Sequence, residues 1–405
     1  MFPANHPHRE YWKKMLAVGV LYYAEGLPYG FLFKTLSYYL STQGWSLTAI
    51  GLAGLLHLPW SLKFIWAPLV DRFGRRCVWI VACQLVLIAA MTATPWLAVG
   101  SLAFVLLLVT IALAGATQDI AIDAYTIDIL APQEQGPANG VRVATYRVAL
   151  IASGGLMIWL SDFIGWQGAF ALFAGTLGLV ALVVIFWPLA HAPRPPEQDK
   201  ARHSIKTAAR LAWLGVARMP RIWAIVMFIL CFKAGEAFLG QMVGPFWHVS
   251  GFSRAEYGLV SGTIGTTLTI IGSLWGGILC QRWGLWRSLW ILGALQAVSN
   301  LGYTVAALNM GQAWATYGAS AVESICGGLG NAPFLTLLMR LCNREASAGQ
   351  YATLSAIFGI SGTIASSLSG VAAHELGFPW FFTLSFCIAL PAFFFLPFLP
   401  IDHKK

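Results

Sequence analysis

Charged residues are scarce in this chain: Asp, Glu, Lys and Arg make up 10% of its 405 residues, whereas 58% are hydrophobic. A soluble core cannot hold so much apolar surface, but a polytopic membrane protein can. The sequence lacks a nucleotide-binding loop and a nucleophile elbow, which disfavours an ATP-driven pump and gives no sign of an enzyme. Its seven cysteines form no pair at metal-ligand spacing, and their odd number gives no disulfide framework. The composition therefore predicts a membrane protein without a metal or other cofactor.

Apolar stretches near the length of a membrane span recur along the chain. We predict spanning helices over 15–40, 48–70, 77–98, 101–130, 139–161, 168–190, 221–248, 255–280, 288–308, 312–342, 349–374 and 378–399. Of the 25 Lys and Arg residues, 20 lie in one alternating set of loops and helix ends, and only Arg254 lies in the opposite set. The positive-inside rule therefore places both termini in the cytoplasm. The polar start "MFPANHPHREYWKK" lacks a signal-peptide cleavage site, so we expect the first span to be retained.

The two halves of the chain resemble each other weakly. "GWSLTAIG" (44–51) parallels "GFSRAEYG" (251–258), and "GWQGAF" (165–170) parallels "GFPWFF" (377–382). A nearly constant offset indicates a duplicated six-helix unit, which is the arrangement of the major facilitator superfamily. We therefore predict an all-α major facilitator fold with twelve transmembrane helices in two six-helix halves. The predicted division is 1–190 for the first half, 191–220 for a cytoplasmic linker with an amphipathic helix, and 221–405 for the second half.

Nine ionisable side chains are predicted to lie at membrane depth, where each charge costs roughly 3 kcal/mol on insertion scales. They are Glu25, Lys34, Lys63, Asp119, Asp123, Arg147, Lys233, Glu236 and Glu323. Such residues within membrane spans mark functional sites. The set therefore predicts a polar cavity that receives a polar or charged ligand.

Two carboxylates of the fourth span lie on one helix face. Asp119 and Asp123 are four residues apart, and Gln118 lies beside Asp119. Carboxylates so placed repel each other unless a cation or a proton joins them, so a proton on one of them is a natural coupling device. The alternative is a structural ion pair with Arg147 of the fifth span, and the two interpretations are compatible.

Three further spans carry charges. Glu25 lies in the first span, Lys233 and Glu236 lie three apart in the seventh, and Glu323 lies in the tenth with Asn331 further along. In the major facilitator arrangement the first, fourth, seventh and tenth helices line the central cavity, so we expect these side chains to contact substrate or protons. A local ion pair is the open alternative for each single residue. Lys34 and Lys63, which lie nearer helix ends, are expected at the periphery, where lysines extend to the membrane interface.

The loop "APLVDRFGRR" (67–76) is close to the superfamily signature Gly-x-x-x-Asp-Arg-x-Gly-x-Arg/Lys-Arg/Lys, with Ala67 in place of the leading glycine. We expect it to act as a conformational latch at the cytoplasmic mouth. The latch residues are Asp71, Arg72, Gly74, Arg75, Arg76 and, in the second copy of the motif, Arg282. The second copy has Gln281 where the first has an aspartate, which weakens it electrostatically. The alternative is that these charges only set the topology.

Longer segments carry a closer resemblance. They include "EGLPYGF", "LKFIWAPLVDRFGRR", "TQDIAIDAYTIDILAPQEQG", "KAGEAF" and "VESICGGLGNAPFLTLLMRLCN", and they extend over nearly all of 15–399. In these segments the chain resembles the AmpG-type muropeptide permeases, a branch of the superfamily that also contains acetyl-CoA transporters and some siderophore permeases. The resemblance implies proton-driven import of anhydro-muropeptides across the bacterial inner membrane for cell-wall recycling. It also implies that Gln118, Asp119 and Asp123 are central, with Arg147 and Glu323 as their partners.

The sequence departs from the larger family members in one respect, because those carry extra C-terminal spans. Short relatives include siderophore importers, so a siderophore or another small polar conjugate is the alternative substrate. A membrane receptor or enzyme would need a large soluble domain or a catalytic cluster, and the sequence contains neither. We expect a monomer whose partners are a small-molecule substrate, protons and lipid, with no nucleic acid.

Overall fold

The computed structural model describes residues 6–72, 75–131, 134–186, 215–342 and 347–400. These residues are almost entirely helical, and no strand occurs among them. Ten of their helical segments are long and apolar enough to cross a membrane. They are Glu10–Thr42 (α1), Leu47–Ile65 (α2), Arg76–Trp96 (α3), Leu102–Ile129 (α4), Pro137–Phe186 (α5 and α6), Ile222–Val249 (α7), Arg254–Trp283 (α8), Leu285–Leu308 (α9), Ala313–Leu341 (α10) and Thr353–Phe398 (α11 and α12).

Two of these segments have double length, with 50 and 46 residues. Each is interrupted by one glycine with positive φ, Gly165 at 71° and Gly377 at 70°. Glycine adopts this backbone conformation without the strain that a β-carbon would cause. The interruptions separate α5 (137–164) from α6 (166–186) and α11 (353–376) from α12 (378–398). The described residues thus form twelve spans, and the predicted all-α membrane fold is confirmed.

Several spans contain a short irregular stretch. Wider π-helical turns occur at Phe31–Thr35 in α1, Ile151–Leu156 in α5 and Gly258–Gly265 in α8. Tighter 3₁₀ turns occur in α2 at Ala53–His57 and Lys63–Ile65. Such turns shift the direction of the side chains that follow them, and π-turns within helices are frequent at functional sites.

Glycines with positive φ lie at corresponding junctions in the two parts of the sequence. The pairs are Gly44 with Gly251, Gly100 with Gly311, and Gly165 with Gly377, at offsets of 207, 211 and 212 residues. The first and third pairs fall within the two sequence repeats described above. The same backbone turn therefore recurs at these three junctions, as a duplicated helical unit requires.

Packing divides the described residues into two compact units, and unit 1 comprises 6–36 and 62–186. In it α1 packs closely on α5 through small residues. A β-carbon at Gly26 would lie 2.7 Å from the β-carbon of Ala149, so glycine allows the two backbones to approach. Apolar side chains of α1, α3 and α4, including Val18, Ile80 and Ile122, form the buried core.

Unit 2 comprises 37–61 and 215–400. Its core lies among α7, α9, α10 and the helices that follow, and includes Phe228, Leu289 and Phe334. The side chains of Phe232 and Phe334 stack with their ring centroids 5.4 Å apart. The predicted amphipathic linker lies mostly within 187–214, outside the described residues.

The segment 37–61 belongs to unit 2 because it packs against α7, α8 and α11. Gln241 of α7 donates a hydrogen bond of 2.8 Å to the carbonyl of Ile50. Ser41 and His248 are joined by a 3.0 Å hydrogen bond. The rings of Tyr38 and Tyr257 stack with centroids 4.4 Å apart. The last turn of α1 and the first turns of α2 are thus held by polar and aromatic contacts.

Candidate functional site

The charged side chains of unit 1 converge around α4. Asp119 and Asp123 lie one helical turn apart, so their carboxylates project from the same face. Lys63 of α2 forms an ion pair with Asp119, and its ammonium lies 3.7 Å from the Asp123 carboxylate. One lysine therefore bridges the two carboxylates, and its side chain is 33% exposed.

Glu25 of α1 lies beside this bridge. Its side chain lies close to that of Asp119, and both residues are buried, at 4% and 6% exposure. Two ionised carboxylates side by side repel each other, and a proton on one of them relieves that repulsion. The arrangement can therefore accommodate one proton.

Arg142 of α5 completes the group that we call the acid–base cluster, which consists of Glu25, Lys63, Asp119, Asp123 and Arg142. The Arg142 guanidinium lies 3.3 Å from the Asp123 carboxylate and 4.5 Å from the centre of the Tyr22 ring. Tyr22 donates a 2.6 Å hydrogen bond to Asp123. Asp123 is thus held by two cations and one hydroxyl, which fixes its position.

The alternative of an ion pair between Arg147 and the α4 carboxylates is not found among the described residues, where Lys63 and Arg142 pair with these carboxylates instead. Arg147 lies on α5, directly after Tyr146 in the sequence, and is half-buried. The prediction that Lys63 lies at the periphery is wrong. The 3₁₀ turn Lys63–Ile65 interrupts α2 at this residue and alters the direction of the side chain.

Gln118 is fully buried beside the acid–base cluster. Neither its amide nitrogen nor its amide oxygen has a hydrogen-bond partner, and the same holds for Gln84 of α3. Buried amides without partners are rare in proteins, because each lost hydrogen bond costs free energy. Two buried glutamines with free hydrogen-bonding capacity thus occur in unit 1.

A second polar group lies in unit 2 on α7. Lys233 is 4% exposed, and its ammonium lies 2.5 Å from Glu236 and donates a 3.0 Å hydrogen bond to the side-chain oxygen of Gln296 on α9. A buried lysine needs such partners because an unpaired charge in an apolar interior is costly. Gln296 is not among the residues predicted from the sequence, although a lone amide within an apolar span is a signal for such a contact.

Glu323 of α10 lies near this lysine group. A β-carbon at Gly327 would lie 3.5 Å from a carboxylate oxygen of Glu236 and 3.6 Å from one of Glu323. The two carboxylates therefore converge over the bare backbone of Gly327. Asn331, one turn further along α10, is half-buried. Unit 2 thus brings together the predicted residues of α7 and the Glu323 side chain of α10.

The predicted latch is described only in part. Arg76 donates a 2.9 Å hydrogen bond to the carbonyl of Val70, and its Nε lies 3.6 Å from the Asp128 carboxylate at the end of α4. Arg75 is exposed at the start of α3. The Asp71 and Arg72 side chains and the whole of Gly74 lie outside what the structure describes. Arg282 is exposed near the end of α8.

Lys14 and Glu134 form a salt bridge of 3.0 Å at the connection between α4 and α5. Glu134 also accepts a 2.8 Å hydrogen bond from the backbone N–H of Ala131. This bond and the nearby lysine lower the pKa of Glu134 below its ordinary value. Within the described ranges, no group of three His, Cys, Asp or Glu side chains is placed to hold a metal ion.

Comparisons with known proteins agree on one family. The family model described as Major Facilitator Superfamily matches residues 15–355. The anhydromuropeptide permease of Escherichia coli strain K12 is 33% identical over 386 residues, which cover 93% of this chain and 78% of that protein.

Two solved structures share the fold. A bacterial homolog of the human lysosomal transporter Spinster, in an inward-facing and unoccupied conformation, has a TM-score of 0.75 at 16% identity and covers 96% of this chain and 97% of its own. A D-xylose-proton symporter has a TM-score of 0.71 at 15% identity, with coverages of 97% and 99%. At these identities the likeness concerns the architecture of the helices.

Proposed function

This chain belongs to the major facilitator superfamily and to its AmpG-type permeases, and from that membership we propose that it imports anhydro-muropeptides from the periplasm to the cytoplasm in symport with protons. It is a multi-pass membrane transporter and not an enzyme. The substrate proposal is carried by one observation, the 33% identity with an anhydromuropeptide permease over 93% of the chain. Anhydro-muropeptides are large and polar, which suits a protein with charged side chains on several helices.

We propose that the chain works in the bacterial inner membrane as a monomer, with both termini in the cytoplasm. The asymmetric distribution of Lys and Arg supports this orientation. In this proposal two six-helix halves, 1–190 and 221–405, are joined by the linker 191–220 and rock about the substrate in alternating access. The recurring glycine turns support the duplicated organisation.

The proposed substrate contacts and proton-coupling groups are the polar side chains of α1, α4, α5, α7 and α10. They are Glu25, Gln118, Asp119, Asp123, Arg147, Lys233, Glu236, Glu323 and Asn331. Gln118 is favoured by its unpartnered amide, and Glu236 and Glu323 by their convergence over Gly327. These groups offer donors and acceptors to a peptide-bearing sugar without a large apolar surface.

We propose that the coupling proton resides on the pair formed by Glu25 and Asp119. The acid–base cluster holds three carboxyl groups and two cations, so one proton brings its formal charge to zero. The closeness of Glu25 and Asp119 supports this position, because a proton on one of them relieves the repulsion between two buried carboxylates. Loss of that proton would leave an uncompensated charge, and the cluster would then favour a different arrangement of helices.

The latch is proposed to act at the cytoplasmic ends of α2, α3 and α4. Arg76 links the helical turn Ala67–Arg72, which follows α2, with the end of α4 through its contacts to Val70 and Asp128. Asp71, Arg72, Gly74 and Arg75 would complete it, with Arg282 in the second copy. Such a contact would stabilise one conformation and would break when the helix ends separate.

The proposal is tested by uptake of labelled anhydro-muropeptide into proteoliposomes with an imposed proton gradient, with and without a protonophore. We expect gradient-dependent uptake that Glu25→Gln abolishes and that Glu375→Gln, at an exposed position of α11, leaves intact. Uptake that ignores the gradient would contradict proton coupling. Uptake of a ferric siderophore but not of muropeptide would replace the substrate while leaving the transporter assignment in place.

A further inference from the structure

The two arginines of α5 have different surroundings. Arg142 is bound by the Asp123 carboxylate and packs over the Tyr22 ring. Arg147, five residues later, forms no ion pair and no side-chain hydrogen bond with the described residues. It is half-buried, and its nitrogen atoms are not among the buried polar atoms that lack partners, so the guanidinium remains accessible.

Arg147 lies within a predicted membrane span, where a charge without a counter-charge is costly. A charge in a medium of low dielectric constant also attracts an opposite charge more strongly than it would in water. A ligand that brings a negative charge to this guanidinium would therefore be bound well.

We propose that Arg147 binds a carboxylate of the transported ligand and so forms a subsite for it on α5. This inference rests on the proposed function, since the peptide part of a muropeptide carries free carboxylates. The planar guanidinium fork pairs with a carboxylate through two parallel hydrogen bonds, which gives direction as well as attraction. Arg142 cannot take this role because Asp123 already occupies it.

The affinity of this subsite for a carboxylate depends on the charges of unit 1. With its proton in place, the acid–base cluster is formally neutral, and Arg147 adds one positive charge. Without that proton the sum is zero. A ligand carboxylate at Arg147 is therefore bound better when the proton is present, and by linkage the ligand strengthens proton binding by the same factor.

The test compares two ligands on the purified transporter in nanodiscs. One is N-acetyl-anhydromuramyl tripeptide, and the other is the same compound with its carboxylates converted to carboxamides. We expect the wild type to bind the acid about 10- to 100-fold more tightly than the amide, the range of a charged hydrogen bond. Arg147→Gln should bind the two equally and keep the wild-type affinity for the amide. Arg147→Lys should recover part of the preference, because lysine keeps the charge but not the fork.

Arg340→Gln is the matched control, since Arg340 is exposed at the end of α10 and should keep the full preference. If Arg147→Gln still prefers the acid, the subsite is wrong while the transport proposal stands. If Arg147→Gln fails to fold, Arg147→Lys becomes the test. A preference for the acid as large as that of the wild type in Arg147→Lys would contradict binding through the guanidinium fork. If the wild type binds neither compound, the substrate proposal fails and the subsite fails with it. Tighter binding of inorganic phosphate than of the acid ligand would also contradict a carboxylate subsite at Arg147.

Discussion

Replacing Lys63 by methionine is the most direct perturbation of the acid–base cluster. Lys63 pairs with Asp119 and lies 3.7 Å from Asp123, so it compensates two carboxylates at once. Methionine retains the length and the apolar stem of lysine while it removes the charge. The change therefore isolates the electrostatic contribution from the packing contribution.

The magnitude follows from the distances. At an effective dielectric constant of about 20, two unit charges about 4 Å apart attract each other by about 4 kcal/mol. The loss of stability cannot greatly exceed that figure, because a carboxylate without its cation can take up a proton instead. Placing a proton at pH 7 on a carboxylate of ordinary acidity costs about 4 kcal/mol. Since the lysine side chain is 33% exposed, water screens part of the attraction. We expect Lys63→Met to lower the free energy of unfolding by about 2–3 kcal/mol and to abolish gradient-driven uptake.

Unfolding in mixed micelles, followed by tryptophan fluorescence, measures the stability change, and the proteoliposome assay measures uptake. Lys13→Met is the matched control, because Lys13 is an exposed lysine at the start of α1, and we expect a change within about 0.5 kcal/mol. The double variant Lys63→Met with Asp119→Asn should recover at least half of the lost stability, since it removes one stranded charge. The reasoning is refuted if Lys63→Met and Lys13→Met are indistinguishable, or if the double variant is no more stable than the single one.

Three further predictions concern other parts of the molecule. Lys233→Met should destabilise the protein by about 3 kcal/mol, because it leaves the Glu236 carboxylate and the Gln296 amide without their partner. A loss of stability below about 1 kcal/mol in the same unfolding assay would contradict this. Gly370→Ala should lower the free energy of unfolding by about 1–3 kcal/mol, because the added β-carbon would press on the backbone of the first helical turns of α2. Gly240→Ala is the control, since there is open space around that position, and it should leave the thermal melting temperature nearly unchanged. Glu134→Gln should lower stability at pH 7 by less than about 1 kcal/mol and should have a smaller effect at pH 3. The folded pKa of Glu134 lies below the unfolded one, so its contribution is full above about pH 4.5 and disappears as pH falls through the folded value; an equal effect at both pH values would contradict it.

Helix positions were predictable from the sequence because membrane burial demands long apolar stretches. The fourth span was expected at 101–130 and is observed at Leu102–Ile129. The shared face of Asp119 and Asp123 was also predictable, since it depends only on helical periodicity, and Lys63 contacts both. The partners of these carboxylates were not predictable. Which cation reaches them depends on how α2 and α5 pack beside α4, and sequence spacing within one helix carries no such information.

Arg142 shows how a boundary error became a site error. It was counted among the loop and helix-end charges because the fifth span was expected to begin at 139. The helix begins at Gln135, so Arg142 lies two turns inside it, on the side that packs against α1. There its guanidinium contacts the Asp123 carboxylate, although 43% of its side chain is exposed. Positive charges near helix ends can therefore belong to ion-pair clusters as well as set the topology.

Glu25 of α1 and Lys233 of α7 are buried charges of opposite sign, and their neighbours differ. Lys233 contacts a carboxylate three residues along its own helix and the side-chain oxygen of Gln296 on α9, so side chains of the protein compensate its positive charge. Glu25 lies beside a second acid, Asp119, and two ionised carboxylates in this position would repel each other unless a proton joined one of them. The acid pair of α1 and α4 therefore has a use for a proton that the lysine group of α7 does not have, which is why we place the coupling proton in unit 1.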